Sequence, residues 1–237
     1  MITIGEETDL RHRSVIITGA FGVLGSAVSA AFEEDGWAVA RVDFAPAPAP
    51  VSSTALLFGG IDLSRNGSAE RVVGEILQAR GGIDVLINIA GGFLWETIAE
   101  GAIDSWKRMF EMNALSSFAM CSAALPALRS RPGARIINVG AASAIHAASG
   151  MAPYAASKAA VHRLTESLAA ELADDDITVN AILPSIIDTP GNRAELPDAD
   201  HGKWVTPESI VDVIQFLASP AARAITGALI PVTKGMS

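Results

Sequence analysis

Ser14-Val15-Ile16-Ile17-Thr18-Gly19-Ala20-Phe21-Gly22-Val23-Leu24-Gly25 is the stretch on which the fold is read. Residues 14–18 are a short β-branched run, the composition of a buried strand. An amphipathic pattern follows to about Asp35 and predicts a helix. Between them, glycines at 19, 22 and 25 permit a tight turn, let the backbone approach a pyrophosphate and seat the helix closely on the sheet. The phosphates would rest on the helix N-terminus, where backbone N–H groups lack intrahelical partners. Gly19, Phe21, Gly22, Val23, Leu24 and Gly25 are therefore candidate cofactor-binding residues. A glycine triplet alone punctuates many turns, and it is the strand before and the helix after that favour a dinucleotide.

Outward from this turn, Trp37–Asp43 reads as a second strand ending in a carboxylate 18 residues after Gly25. Asp43 there can accept hydrogen bonds from both adenosine ribose hydroxyls and would repel a 2′-phosphate, which favours NAD(H) over NADP(H). Arg41 could pair with such a phosphate, which keeps NADP(H) open, but alternation puts it on the same strand face as Asp43 rather than clearly at the tip. Residues 45–50, alternating Ala and Pro, are an extended surface link. Residues 55–58 suggest a third strand, with Asp62 and Leu63 beyond its end where an adenine could be met. Residues 68–80 suggest a helix closed by Gly81-Gly82, and residues 83–88 a fourth strand running into Ala90-Gly91-Gly92. This alternation is the pattern of one α/β domain over residues 1–237, a Rossmann-type doubly wound parallel sheet with helices on both faces. Residues 1–13 are a polar lead-in. Residues 104–129 and 153–173 predict long Ala-rich helices, and Thr206-Pro207-Glu208 starts another with a capping hydroxyl and proline at the first turn. Residues 190–204 have the composition of a mobile substrate lid.

Composition narrows the partners. Half of the 237 residues are hydrophobic and 18% are charged, enough apolar material for a sizeable core. A formal charge of −9 argues against nucleic acid or an anionic membrane, leaving a small-molecule substrate. The single cysteine, Cys121, excludes an internal disulfide and suits a reducing compartment as a small core residue. Without an apolar signal segment or a run of about 18 apolar residues, the chain reads as soluble and cytoplasmic. His12, His146, His162 and His201 lack ligand spacing, so no metal is expected. Asp174-Asp175-Asp176 reads as a solvated acidic turn.

Tyr154-Ala155-Ala156-Ser157-Lys158 carries the chemistry. A spacing of four puts the only tyrosine and a lysine on one helical face, one turn apart. A phenol titrates near pH ~10, and the neighbouring cation is expected to lower that value, making Tyr154 a usable acid or base.

With Asn88-Ile89-Ala90-Gly91, Met112-Asn113-Ala114, Leu183–Pro190 and Thr226-Gly227-Ala228 in this order, the chain resembles a short-chain dehydrogenase/reductase over nearly its whole length. The resemblance implies a nicotinamide-dependent oxidoreductase acting on a small carbonyl or alcohol. Tyr154 would be the acid/base and Lys158 the holder of the ribose. Asn113 would hold a water near the lysine. Asn88, Ala90 and Gly91 would support the central strand and cofactor, and Pro184, Ile187 and Thr189 would contact the nicotinamide. A homodimer or homotetramer through the Ala-rich helices is implied by the same likeness. Two departures stand out. The family's glycines usually fall as Thr-Gly-x-x-x-Gly-x-Gly, and its serine 13 residues before the tyrosine is here Ala141. Ser143 is a substitute candidate or a loop hydroxyl satisfying local backbone, and Trp95 is a further candidate on the substrate side. With Ala90-Gly91-Gly92, Ser149-Gly150-Met151 and the phrasing from Leu183 to Asp200, these departures resemble the dihydropteridine reductase branch, which implies NADH and a quinonoid dihydropterin. A non-catalytic dinucleotide sensor or an oligomeric scaffold is the alternative of another class.

Overall fold

The computed structural model describes residues 13–49 and 54–235, so residues 1–12 of the lead-in and Pro50 of the link lie outside the described residues. Seven parallel strands form one sheet: β1 (Ser14–Thr18), β2 (Ala38–Val42), β3 (Leu56–Phe58), β4 (Val85–Asn88), β5 (Ala134–Val139), β6 (Ile177–Pro184) and β7 (Leu229–Val232). Their spatial order is β3-β2-β1-β4-β5-β6-β7. The chain moves outward from β1 to β3, then returns to the other side of β1 with β4. This reversal opens a crevice at the C-terminal ends of β1 and β4, where open α/β sheets bind ligands.

Strand alternation divides the core. Val15, Ile17, Val85, Ile87 and Ile137 face α1 (Val23–Glu34) and α7 (Pro207–Ala218), packing on Val28, Phe32, Ile210 and Ile214. Ile16, Leu86, Ile136 and Val179 face α2 (Ser68–Arg80), α4 (Ser116–Arg129) and α5 (Ala152–Glu171), packing on Val72, Ile76, Met120, Leu128 and Leu168. Near-continuous burial of β1, β4, β5 and β6 explains their apolar composition, since a parallel sheet is covered on both faces. Cys121 lies inside this core, and burial pushes its thiol up to about 12, which keeps it an inert packing residue.

The helix expected over 104–129 is built in three pieces. After α3 (Ile103–Met109), residues Phe110–Leu115 widen into a π-helical segment before α4. The extra residue in that turn carries Asn113 inward, where it is fully buried. The stretch 190–204, expected as a lid, carries structure of its own. It contains α6 (Pro190–Glu195), capped by Thr189 Oγ1 accepting from Asn192 N at 3.1 Å. Its far end is pinned by Trp204, 2% exposed, and by Ile187 bridging Val205. Burial of one large aromatic ring outweighs the polar composition around it.

Gly25 is required by the contact of α1 with the β1 turn. A Cβ there would stand 2.0 Å from the Gly19 carbonyl oxygen and 2.7 Å from Ala20 Cα, whereas at Gly22 the nearest atom is 3.5 Å away. Gly25→Ala is expected to lower the unfolding free energy by about 2–3 kcal/mol, and Gly22→Ala by less than about 1 kcal/mol. Urea unfolding of the two variants checks the contrast, which equal losses would contradict.

Candidate active site

The cofactor half begins at Thr18, whose Oγ1 accepts from Ile89 N and Ala90 N, both at 3.1 Å. This ties the end of β1 to the turn after β4. Gly19 then has φ +65°, and a Cβ there would meet Ala90 N at 2.8 Å, so the two turns approach as closely as backbone allows. Gly22 caps α1 with no side-chain hydrogen bond, and the first turn carries no acidic residue. An uncapped, uncharged helix start bordered by glycine is a cradle that fits a pyrophosphate. Val23 is exposed and belongs to its rim, while Leu24 and Gly25 are buried and serve the packing of α1. At the tip of β2, Asp43 Oδ2 accepts from Phe21 N at 2.8 Å and Oδ1 from Ala45 N at 2.9 Å. Arg41 is taken up by Glu33 of α1, Nε to Oε1 at 2.9 Å.

Three of the expected cofactor residues have side chains engaged within the protein itself. Asn88 turns into the core, where its Nδ2 donates to Asn138 Oδ1 at 2.9 Å, and Asn138 Nδ2 donates to Thr165 Oγ1 at 2.9 Å. It joins β4 to β5 and α5 because residue parity on β4 points it away from the crevice. Leu63 is 6% exposed and part of the core. The Asp62 carboxylate is engaged by Ser64 Oγ at 2.6 Å and Arg65 Nε at 3.1 Å, stabilising its own turn.

In the reacting half, Tyr154 and Lys158 sit one turn apart on α5. Lys158 is 5% exposed and its Nζ donates to Val139 O at 2.8 Å. Burial pushes its ammonium down to about 8. The Tyr154 phenol is pushed up to about 12 by burial, which corrects the expectation of a lowered value: desolvation of the phenolate outweighs the nearby cation. Phe93 packs edge-on to the Tyr154 ring, with centroids 5.0 Å apart at 80°.

Asn113 locks this half to the crevice. Its Oδ1 accepts from Gly92 N at 2.9 Å, and its Nδ2 donates to Gly92 O at 3.1 Å and to Ser157 Oγ at 2.8 Å. Ser157 Oγ in turn donates to Tyr154 O at 2.7 Å. A Cβ on Gly91 would stand 2.4 Å from Asn113 Oδ1 and 3.2 Å from Lys158 Nζ, so the turn passes directly against both groups. Ala90, Gly91, Asn113, Tyr154 and Lys158 are thus brought together. Pro184 ends β6, and Ile187 and Thr189 hold the start of α6, Ile187 O accepting from Asn192 Nδ2 at 2.7 Å.

On the substrate side, Ala141 is 3% exposed and presents a methyl where a hydroxyl was looked for. Ser143 lies half-buried in a short 3-10 turn, Ala142–Ala144. Trp95 is 54% exposed, its indole Nε1 donating to Ser149 O at 3.1 Å. Phe93, Ser157 and His162 were not among the residues expected from sequence. His162 had a signal, since it falls one helical turn beyond Lys158.

A family model described as enoyl-(acyl carrier protein) reductase matches residues 19–237. The meso-2,3-butanediol dehydrogenase of Serratia marcescens is 32% identical over 240 residues, covering 94% of this chain and 94% of that protein. The 3-oxoacyl-(acyl-carrier-protein) reductase FabG of Vibrio cholerae is 31% identical, covering 96% and 98%. Among solved structures, ligand-free aldohexose dehydrogenase of Thermoplasma acidophilum superposes with a TM-score of 0.85 at 25% identity, covering 96% and 94% of the chains. A glucose/ribitol dehydrogenase of Brucella melitensis superposes at 0.82 with 28% identity, covering 95% and 97%. With the sheet order, the glycine cradle and the Tyr154–Lys158 pair, these matches make the chain an oxidoreductase that belongs to the short-chain dehydrogenase/reductase family.

Proposed function

We propose that this protein moves a hydride between NAD(H) and a small carbonyl or alcohol, with Tyr154 as the acid/base and Lys158 as its electrostatic partner. The observation that carries the reading is the placement of Tyr154 and Lys158 one turn apart on α5, with Lys158 Nζ against the Gly91 turn and Asn113 linked through Ser157 Oγ to the Tyr154 carbonyl. The dinucleotide would be held by the Gly19–Val23 cradle, by Asp43 at the adenosine ribose, and by Gly91, Pro184, Ile187 and Thr189 toward the nicotinamide. When bound, it supplies or accepts the hydride. The protein's part is position and proton. A phenol raised to about 12 is protonated at neutral pH and can donate to a carbonyl oxygen as the adjacent carbon is reduced. The ammonium of Lys158, still largely protonated at pH 7, stabilises the phenolate left behind. Asp43 supports NAD(H) over NADP(H), and the pairing of Arg41 with Glu33 supports it further by engaging the nearby guanidinium.

The methyl of Ala141 favours a second substrate class. A conjugated ring such as a quinonoid dihydropterin accepts hydride without a second hydroxyl on its carbonyl, so it belongs in the same substrate panel. Leu115 and Phe118, 47% and 56% exposed near the start of α4, offer an apolar surface on which a second copy would pack, in keeping with a homo-oligomer.

The purified protein should oxidise NADH with at least one member of a panel of acetoin, a 3-oxoacyl thioester, an aldohexonolactone and quinonoid dihydropterin. Tyr154→Phe should lower kcat by about 10²–10⁴-fold while NADH affinity, followed by tryptophan fluorescence, stays within about twofold. Retained turnover would remove Tyr154 from the mechanism. Asp43→Ala is expected to shift the NADH/NADPH preference in kcat/KM by about tenfold or more toward NADPH, and an unchanged ratio would remove its part in selection. The dinucleotide-free protein also titrates in a predictable way. The penalty for burying the Lys158 ammonium is present in full below its folded value of about 8 and is relieved as pH rises toward the unfolded value near ~10.4. Wild type should therefore gain about 2–3 kcal/mol over Lys158→Met between pH 8 and pH ~10, measured by urea unfolding, and a flat difference would contradict it.

A further inference from the structure

His162 is 3% exposed, lies one turn beyond Lys158 on α5, and takes no part in the proton chemistry above. Its Nε2 accepts from Ala141 N at 3.4 Å. The ring fills the space beside Gly140 so closely that a Cβ there would stand 2.5 Å from Nε2 and 2.7 Å from Cδ2. One turn earlier, Lys158 Nζ donates to Val139 O at 2.8 Å. Two side chains of α5 thus grip the end of β5 from below, one through a carbonyl and one through an N–H. An imidazole that accepts at Nε2 must be neutral and carry its proton on Nδ1. Burial, Arg163 and Lys158 together hold its titration down to about 4, so the acceptor is present at neutral pH.

We propose that His162 is a positioning residue: by holding the Ala141 N–H it fixes the backbone that forms the substrate wall beside Tyr154. The inference rests on the oxidoreductase reading above. With a methyl at position 141 there is no hydroxyl to fix a carbonyl directly, so orientation depends on where the wall itself stands. Released from His162, residues 140–144 would still be held to β6, among the described residues, by Gly140 N, which donates to Ile182 O at 2.9 Å. A shift of the wall by about 1 Å is enough to cost 10²-fold in rate where geometry is demanding.

The test compares His162→Leu, which fills the space without an acceptor, with His162→Gln, whose amide oxygen can accept in its place. Amide hydrogen exchange at Ala141, read by NMR on the full chain, should accelerate about tenfold or more in His162→Leu and return toward wild type in His162→Gln. For the most active compound of the panel, His162→Leu should lose about tenfold in kcat with KM within about threefold. NADH affinity should stay within about twofold, and His162→Gln should recover most of the loss. If His162→Leu does not fold, His162→Asn, too short to reach Ala141, takes its place. Unchanged exchange would overturn the hydrogen bond, and faster exchange with unchanged kcat would reduce His162 to a packing residue. Either result with wild-type turnover intact removes this proposal alone, whereas a wild type that turns over no panel compound removes the oxidoreductase reading and this proposal with it.

Discussion

The constraint on which the site depends is the polar stripe joining α5 to β5. Lys158 donates to Val139 O, His162 accepts from Ala141 N, and Thr165 accepts from Asn138 Nδ2. These three side chains recur at the spacing of one helical face, so the interface between helix and strand is stitched as well as packed. Apolar packing alone tolerates small slides and rotations, whereas a buried donor or acceptor left unpaired costs about 1–3 kcal/mol. The stripe therefore sets both the rotation of α5 and its height along β5. Tyr154 stands one turn above Lys158 on the same helix, and its position over the crevice follows from that register.

A second constraint runs across the crevice. Thr18 gathers the two N–H groups after β4, Gly19 lies against Ala90, and Gly91 lies against Asn113 and Lys158. Glycine is needed on both sides because the β1 turn and α5 meet through the backbone between them. The π-helical turn at Phe110–Leu115 belongs to the same arrangement. It delivers Asn113 to Gly92 and Ser157 at once, so the amide that stabilises the β4 turn also steadies the first turn of α5. Cradle, clamp and the Tyr154–Lys158 pair are thereby a single mechanical unit.

How much of this could be read in advance depended on whether a signal was local. The β1 turn, α2 and the start of α7 were legible because strand runs, glycine spacing and a Thr-Pro cap are short-range patterns. Tyr154 with Lys158 was legible because a spacing of four is a statement about one helix. Partners from distant segments were not. Sequence places Asn88 at a strand end without showing that its amide pairs with Asn138 of β5, and it does not show the Asp62 carboxylate engaged by Ser64 and Arg65. In residues 190–204 the polar composition hides both the short helix α6 and the buried ring of Trp204. The sign of the Tyr154 shift was misjudged for a related reason: sequence places a cation nearby and says nothing about how much water has been removed.

That sign bears on the chemistry. Burial raises the phenol and lowers the ammonium, so each group is driven toward its neutral form. In the proposed mechanism, proton donation by Tyr154 would create an anion near the buried Lys158 ammonium, a cation poorly supported by solvent. Each then relieves the other's desolvation, and the attraction is greatest as charge develops on the phenol oxygen. A pair of exposed, fully solvated groups would gain little from the same step, because water would already have stabilised both. In the proposed mechanism the burial that keeps Tyr154 protonated at rest would also strengthen the pull of Lys158 on the phenolate, with Gly91 and Asn113 packed against Lys158 and Phe93 against Tyr154.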